Sequence, residues 1–234
     1  MDAASQIMKT IDELRKDATD IFQSRKTISE HPSQFHAAWH MNEVALFNVR
    51  PFPHITRLYL QDCKQLTSLY LLQSFPNLET LWIYGSDKLS HIDGIQSSKA
   101  LKSLTIWASF SATITLDSLA ALSGITDLEH IVFSGKTRDG SLSHLDQHQN
   151  LKTAFFSNSY SWQEIAGFEA RHPAISFPWK GGVVYEADPQ VLKCKKCGTP
   201  QAMLAGKGLK LACPLCDLVY LKKHIARYST IAMG

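Results

Sequence analysis

The sequence predicts an α/β solenoid: a curved parallel sheet with a helical cap at its N-terminal end and a small C-terminal module built around four cysteines. Three observations lead there. A six-residue apolar frame, L-x-x-L-x-L, returns five times at near-constant spacing, apolar residues three positions apart fill the stretches between the frames, and two C-x-x-C pairs sit in a short basic segment near the end.

The N-terminal element comes first. Ile7, Ile11, Leu14, Ala18, Ile21 and Phe22 recur at three- and four-residue intervals among charged residues, which is one face of an amphipathic helix. With Val44 and Leu46 as a degenerate first strand, residues 1–50 are expected to cap the repeats. The opening MDAASQIMKTIDELRKD mixes charge into helical spacing and lacks the apolar core of an export signal. No stretch approaches the roughly 18 uncharged apolar residues of a membrane span. The expectation is a cytoplasmic protein with no membrane partner.

The central element, residues 51–180, carries the frames Ile55/Leu58/Leu60, Leu78/Leu81/Ile83, Leu101/Leu104/Ile106, Leu128/Ile131/Phe133 and Leu151/Ala154/Phe156, at steps of 23, 23, 27 and 23 residues. Eight positions after each frame begins stand Cys63, Ser86, Ser109, Lys136 and Ser159, mostly small and polar. Beyond them, Leu66/Leu69/Leu72, Leu89/Ile92/Ile95, Leu116/Leu119/Leu122, Leu142/Leu145 and Trp162/Ile165/Phe168 supply the buried residues of a returning segment. Two units depart from this register: four extra residues around Phe110–Thr115, and a polar stretch Lys136–Gly140. Pro173 ends the helical run Trp162–Arg171, Ile175–Phe177 reads as a last short strand, and Trp179-Lys180-Gly181-Gly182 reads as a turn into the next domain.

With that register on the page, residues 55 to about 177 resemble the leucine-rich-repeat superfamily in its 22–23-residue form. The resemblance implies that no repeat buries its apolar face alone and that stacking builds the core. It also implies a concave sheet used for binding.

Strand alternation predicts which side chains leave the core. One outward column reads Tyr59, Trp82, Thr105, Val132, Phe155, the next Gln61, Tyr84, Trp107, Ser134, Ser157, and a third Arg57, Thr80, Ser103, His130, Thr153. Tyr59, Trp82, Tyr84, Trp107 and Phe155 are therefore expected as an exposed aromatic patch, with Arg57 and His130 on its polar rim, and clustered exposed rings point to a protein partner. The competing explanation is that the rings cover one another and are structural.

The C-terminal element, residues 181–234, is the most specific chemically. Cys194-x-x-Cys197 and Cys213-x-x-Cys216 are separated by 15 residues, a spacing that lets two tight turns aim four thiolates at one ion. The segment resembles a zinc ribbon, with Met203-Leu204 and Leu209-Lys210-Leu211 as pairing strands, followed by a basic helical tail over Leu221–Tyr228. The implied cofactor is one structural Zn²⁺ with no open coordination position. Redox or iron–sulfur use of these cysteines is the alternative, but a redox C-x-x-C needs a β-α-β setting this segment lacks. The thiols are expected reduced, without a disulfide framework.

Charge divides at the same place. Residues 1–190 carry a net −4 and residues 191–234 a net +7. Lys195 and Lys196 offset the −2 that four thiolates leave on a divalent ion, and the surplus, with Lys222, Lys223 and Arg227, suits phosphates or an acidic protein surface.

Other patterns carry less. His36/His40 and His144/His148 lack a third ligand, Gly135-Lys136-Thr137 lacks the upstream glycine of a phosphate loop, and Cys63 reads as a buried structural thiol. No catalytic set and no small-molecule substrate site can be assembled. The expected function is a non-enzymatic protein-binding module, in its sharper form an inhibitor or immunity protein that neutralises a toxin or enzyme; the alternative is a nucleic-acid-associated factor.

Overall fold

In the computed structural model of the chain, the described residues are 34–38, 51–109, 112–185, 192–208 and 211–234, with backbone alone for 34–38. The expected N-terminal helix and the Val44/Leu46 strand lie outside them. The chain divides into two compact units, Thr10–Ser157 and a second that contains Asn158–Gly234.

The first unit is a mostly parallel sheet. Its main ladder runs β1 (Gln34–Ala38), β2 (Arg57–Gln61), β3 (Thr80–Tyr84), β4 (Ser103–Trp107), β6 (His130–Thr137) and β7 (Thr153–Phe156), each pair parallel. The strand β5 (Ile114–Leu116) pairs only with the far end of β6. Register follows the sequence frame: Leu58, Leu81, Leu104, Ile131 and Ala154 are successive partners, and all are buried. The row Leu60, Ile83, Ile106, Phe133 and Phe156 is buried likewise.

A repeated backbone device fixes the step from one strand to the next. The carbonyl of Thr56 accepts from the amides of both Glu79 and Thr80, that of Glu79 from Lys102 and Ser103, that of Lys102 from Glu129 and His130, and that of Glu129 from Lys152 and Thr153. The returning segments contain short 3-10 turns at Tyr70–Ser74, Ile95–Ser97, Ala120–Gly124 and Ser143–Leu145. A three-residue turn matches the i, i+3 apolar spacing, so Leu66, Leu69 and Leu72, and their counterparts in the next three units, all face inward and are buried. Both irregularities of the repeat meet in one feature. The extra residues of the third unit supply β5, and the polar stretch of the fourth extends β6 to receive it, with Thr115 opposite Lys136. The Gly135-Lys136-Thr137 triplet is thus strand, not loop. Gly135 has no room for a side chain, since a Cβ would come within 2.6 Å of the Phe133 ring.

In the second unit, helix α1 (Trp162–Arg171) begins at Ser161, whose hydroxyl accepts from the Glu164 amide at 3.1 Å. Trp162–Arg171 was expected as the return of the last repeat, yet it groups with the cysteine segment rather than with the sheet. Ile175 and Phe177 are buried, and between them Ser176 makes a single β-bridge in place of the expected short strand. A 3-10 turn, Lys180–Gly182, leads into β8 (Val183–Tyr185), which pairs antiparallel with β9 (Ala202–Leu204), and β9 with β10 (Leu211–Ala212). Helix α2 (Leu218–Ala232) follows and buries Leu221, His224 and Tyr228 on one face. No helix among the described residues is long and apolar enough to cross a membrane.

Candidate metal centre and aromatic face

The four cysteines converge. The sulfurs of Cys194, Cys197, Cys213 and Cys216 all lie within 4.8 Å of one another, and they are the one group of three or more potential ligands placed together among the described residues. Cys197 and Cys213 Sγ are 3.5 Å apart, as are Cys216 and Cys197 Sγ, well beyond the roughly 2 Å of a disulfide. Cys194 and Cys213 are buried, Cys197 and Cys216 exposed, so the cluster sits where the unit meets solvent. This arrangement can hold a metal ion.

Local hydrogen bonds build each turn. The Cys194 amide donates to the Thr199 carbonyl at 2.8 Å, the Gly198 amide donates back to the Cys194 carbonyl at 2.8 Å, and Lys193 bridges to Pro200. Gly198, at φ +72°, takes the left-handed conformation that closes this turn. In the second turn the Cys216 amide points at Cys213 Sγ at 3.4 Å, and the Asp217 carboxylate accepts from the Cys213 amide at 2.9 Å. Asp217 therefore serves the cysteine turn and leaves the first turn of α2 without a side-chain cap. Thr199 and Asp217 were not singled out in the sequence, although each stands within two residues of a cysteine.

The thiols are electrostatically unequal. Hydrogen bonds from the Thr199 hydroxyl and amide, helped by Cys213 and Cys216, hold Cys197 down at about 6. Sharing with the Cys197 sulfur, then burial, pushes Cys216 up to about 12. One thiolate forms readily and opposes the next, an opposition that a central cation removes.

The hairpin is fastened within its own unit. Asn158 donates from Nδ2 to the Leu204 carbonyl at 2.9 Å and accepts the Gly206 amide on Oδ1 at 2.6 Å, and the Lys207 amide donates to the Tyr160 carbonyl at 2.7 Å. Gly206 packs so closely on Trp162 that a Cβ would lie 2.6 Å from its side chain. Lys195, Lys196, Lys222, Lys223 and Arg227 are all exposed.

The aromatic columns lie in register but differ in exposure. Tyr59 partners Trp82 across β2 and β3, Tyr84 partners Trp107 across β3 and β4. Tyr59 and Trp82, expected on an exposed face, are buried at 3% and 6% exposure and pack together with Tyr84. Trp82 stacks on Tyr84 with ring centroids 5.7 Å apart. Trp107 and Phe155 stack at 5.4 Å although β6 lies between their strands. Ser134, opposite Trp107, and Val132, opposite Phe155, are small enough for the rings to meet over them. Tyr84, Trp107 and Phe155 are half-buried. On the rim, Arg57 is exposed, and His130 Nδ1 lies 2.8 Å from Thr153 Oγ1, its imidazole held below its ordinary range by burial.

Cys63 is buried beside the Ser86 hydroxyl, and burial with the Asp62 charge raises its thiol, the opposite of a nucleophile's environment. His144 pairs with Asp139 at 2.9 Å, whereas His148 is buried. Comparison with known protein families finds no match to this chain, and no curated protein is significantly similar to it.

Proposed function

We propose that the chain is a non-enzymatic protein-binding module, a leucine-rich-repeat solenoid followed by a zinc ribbon, and that its partner docks on the sheet face carrying Tyr84, Trp107 and Phe155. The 23-residue strand step, the aligned buried rows and the doubled hydrogen bonds at each strand entry support the solenoid reading. The observation that carries the function is the stacking of Trp107 on Phe155 across β6 with both rings half-exposed. Rings locked against each other lose little freedom when a partner covers them, which is how Trp and Tyr come to dominate interface energetics. A partner of defined shape, such as a toxin or enzyme to be inhibited, fits this rigid surface.

Zinc is the metal this reading assigns. A tetrahedral ion with Zn–S near 2.3 Å has sulfur–sulfur edges of about 3.8 Å, close to the 3.5 Å separations of the cluster. Four thiolates leave no open position, so the ion is structural. The test of function is affinity capture with the full chain as bait. A partner held by the wild type should be lost with Trp107→Ala while that variant stays folded; equal capture by both would remove the sheet face as the binding site.

A further inference from the structure

The second cysteine turn and the start of α2 carry large apolar side chains that the unit leaves in water. Leu215 lies between Cys213 and Cys216 and is 68% exposed, and Leu218, Val219 and Tyr220 follow in the first helical turn, Val219 at 82%. These residues gather at the N-terminal end of α2, with Leu215 in the turn before the helix, Val219 at the centre of its outward face and the less exposed Leu218 and Tyr220 on the two flanks. Helix geometry explains why they are left out: α2 turns Leu221, His224 and Tyr228 inward, and Val219, Lys222, Lys223 and Ala226, at i, i+3, i+4 and i+7, fall on the opposite face. Contiguous exposed apolar side chains of this kind mark interaction sites.

Charge says what kind of partner covers them. Lys222 and Lys223 stand one turn from Val219, and Lys195 and Lys196 lie in the other cysteine turn of the same sulfur cluster. None of the four has an ion pair among the described residues. The carboxylate nearest in sequence to Lys222 and Lys223, Asp217, accepts from the Cys213 amide. With a divalent ion bound, Lys195 and Lys196 offset the residual −2 of the thiolates, and Lys222 and Lys223 remain as uncompensated positive charge beside the apolar patch. Nucleic acid matches the lysines but not the aliphatic chains: phosphates leave Leu215, Leu218 and Val219 in water, and Tyr220 is the only ring in the patch for a base to stack on. A carboxylate-rich protein segment with its own large apolar side chains matches both halves, apolar against apolar at the centre and acid against lysine at the rim.

We propose that Leu215, Leu218, Val219 and Tyr220, with Lys222 and Lys223, form a second docking surface, and that it takes an acidic segment of another protein bearing leucine or aromatic side chains. This surface shares no residue with the aromatic sheet face, so the two proposals are tested by different variants.

The test uses the metal-loaded full chain against a display library of random 16-residue peptides. Enriched peptides should combine Asp or Glu with Leu, Phe or Trp. The best of them, made synthetically, should bind at least tenfold more weakly to Val219→Glu and to Lys222→Glu/Lys223→Glu, and more weakly as salt rises. Metal content and circular dichroism report whether each variant is folded; if Val219→Glu is not, the lysine pair decides. The proposal is overturned by no enrichment, by peptides without the acidic and apolar signature, by undiminished binding to a folded variant, or by a 20-nucleotide oligouridine binding more tightly than the peptide in the same buffer.

Discussion

Gly182 presents its α-carbon directly to the ring of Tyr228, and a Cβ there would lie 2.5 Å from Tyr228 Cγ. This contact ties the turn that precedes β8 to α2, 42 residues further on, where His224 Nε2 also meets the Gly182 carbonyl at 2.9 Å. The φ of +81° at Gly182 adds a conformational requirement to the steric one. Gly182→Ala should therefore cost about 2–4 kcal/mol, roughly half from the left-handed backbone and half from overpacking. Gly181→Ala, with nothing within 4 Å of its Cβ, pays only the backbone share. Denaturant unfolding of the two variants compares them directly, and equal losses would remove the Tyr228 contact as the cause.

The metal prediction concerns the second unit alone. Its antiparallel sheet has three strands of two or three residues, too little to fold without help. Cys213→Ser, or a strong chelator, should remove one equivalent of zinc and abolish hydrogen-exchange protection in β8, β9, β10 and α2. Amides of β2, β3 and β4 should stay protected, since their register and buried rows lie in the other unit. Loss of protection in both sets would contradict the separation.

Where the chain repeats, the inward positions were legible in the sequence, whereas the outward column was not, since Tyr59, Trp82 and Thr105 are buried as well. Each frame position predicted as core is buried, because stacking leaves those side chains nowhere else to go. β1 was missed: a 23-residue step back from Arg57 lands on Gln34, but the frame there reads Pro32, Phe35, Ala37, with proline where leucine was sought. The pairing of β5 with β6 was hidden because each half looked like a departure from the repeat, and only their meeting shows that the two belong together. The convergence of the four cysteines was legible from spacing, since each C-x-x-C turn brings its own two sulfurs together. The clamp from Asn158 to Leu204 and Gly206 was not, because it joins residues 46 and 48 positions apart.

His224 predicts how the second unit responds to acid. Burial lowers its proton affinity, partly offset by the Gly182 carbonyl. The neutral ring is thus the folded form, and the unfolded chain binds the proton more readily. The contribution to stability is complete above the ordinary histidine value of about 6.5 and is lost as pH falls toward the lower folded value. Acid also strips metal from thiolates, so the informative quantity is the difference between wild type and His224→Gln at each pH. Unfolding midpoints at pH 7.5 and 5.5 should show the wild type losing more than the variant, and parallel losses would assign the whole effect to the cysteines.

Trp82 and Trp107 stand on neighbouring strands, yet their exposures predict opposite consequences of truncation. Trp82 is buried between Tyr59 and Tyr84, so Trp82→Ala removes a large core side chain and should cost about 3–5 kcal/mol. Trp107 is half-buried and stacks on Phe155, a ring contact worth about 1 kcal/mol beyond area burial. Trp107→Ala should lower the thermal midpoint far less than Trp82→Ala. The comparison also decides which rings can serve a partner, because a side chain that the fold already buries has little surface left to offer. If Trp107→Ala proved as damaging as Trp82→Ala, the Trp107–Phe155 stack would be a structural brace and the binding surface would have to be sought elsewhere.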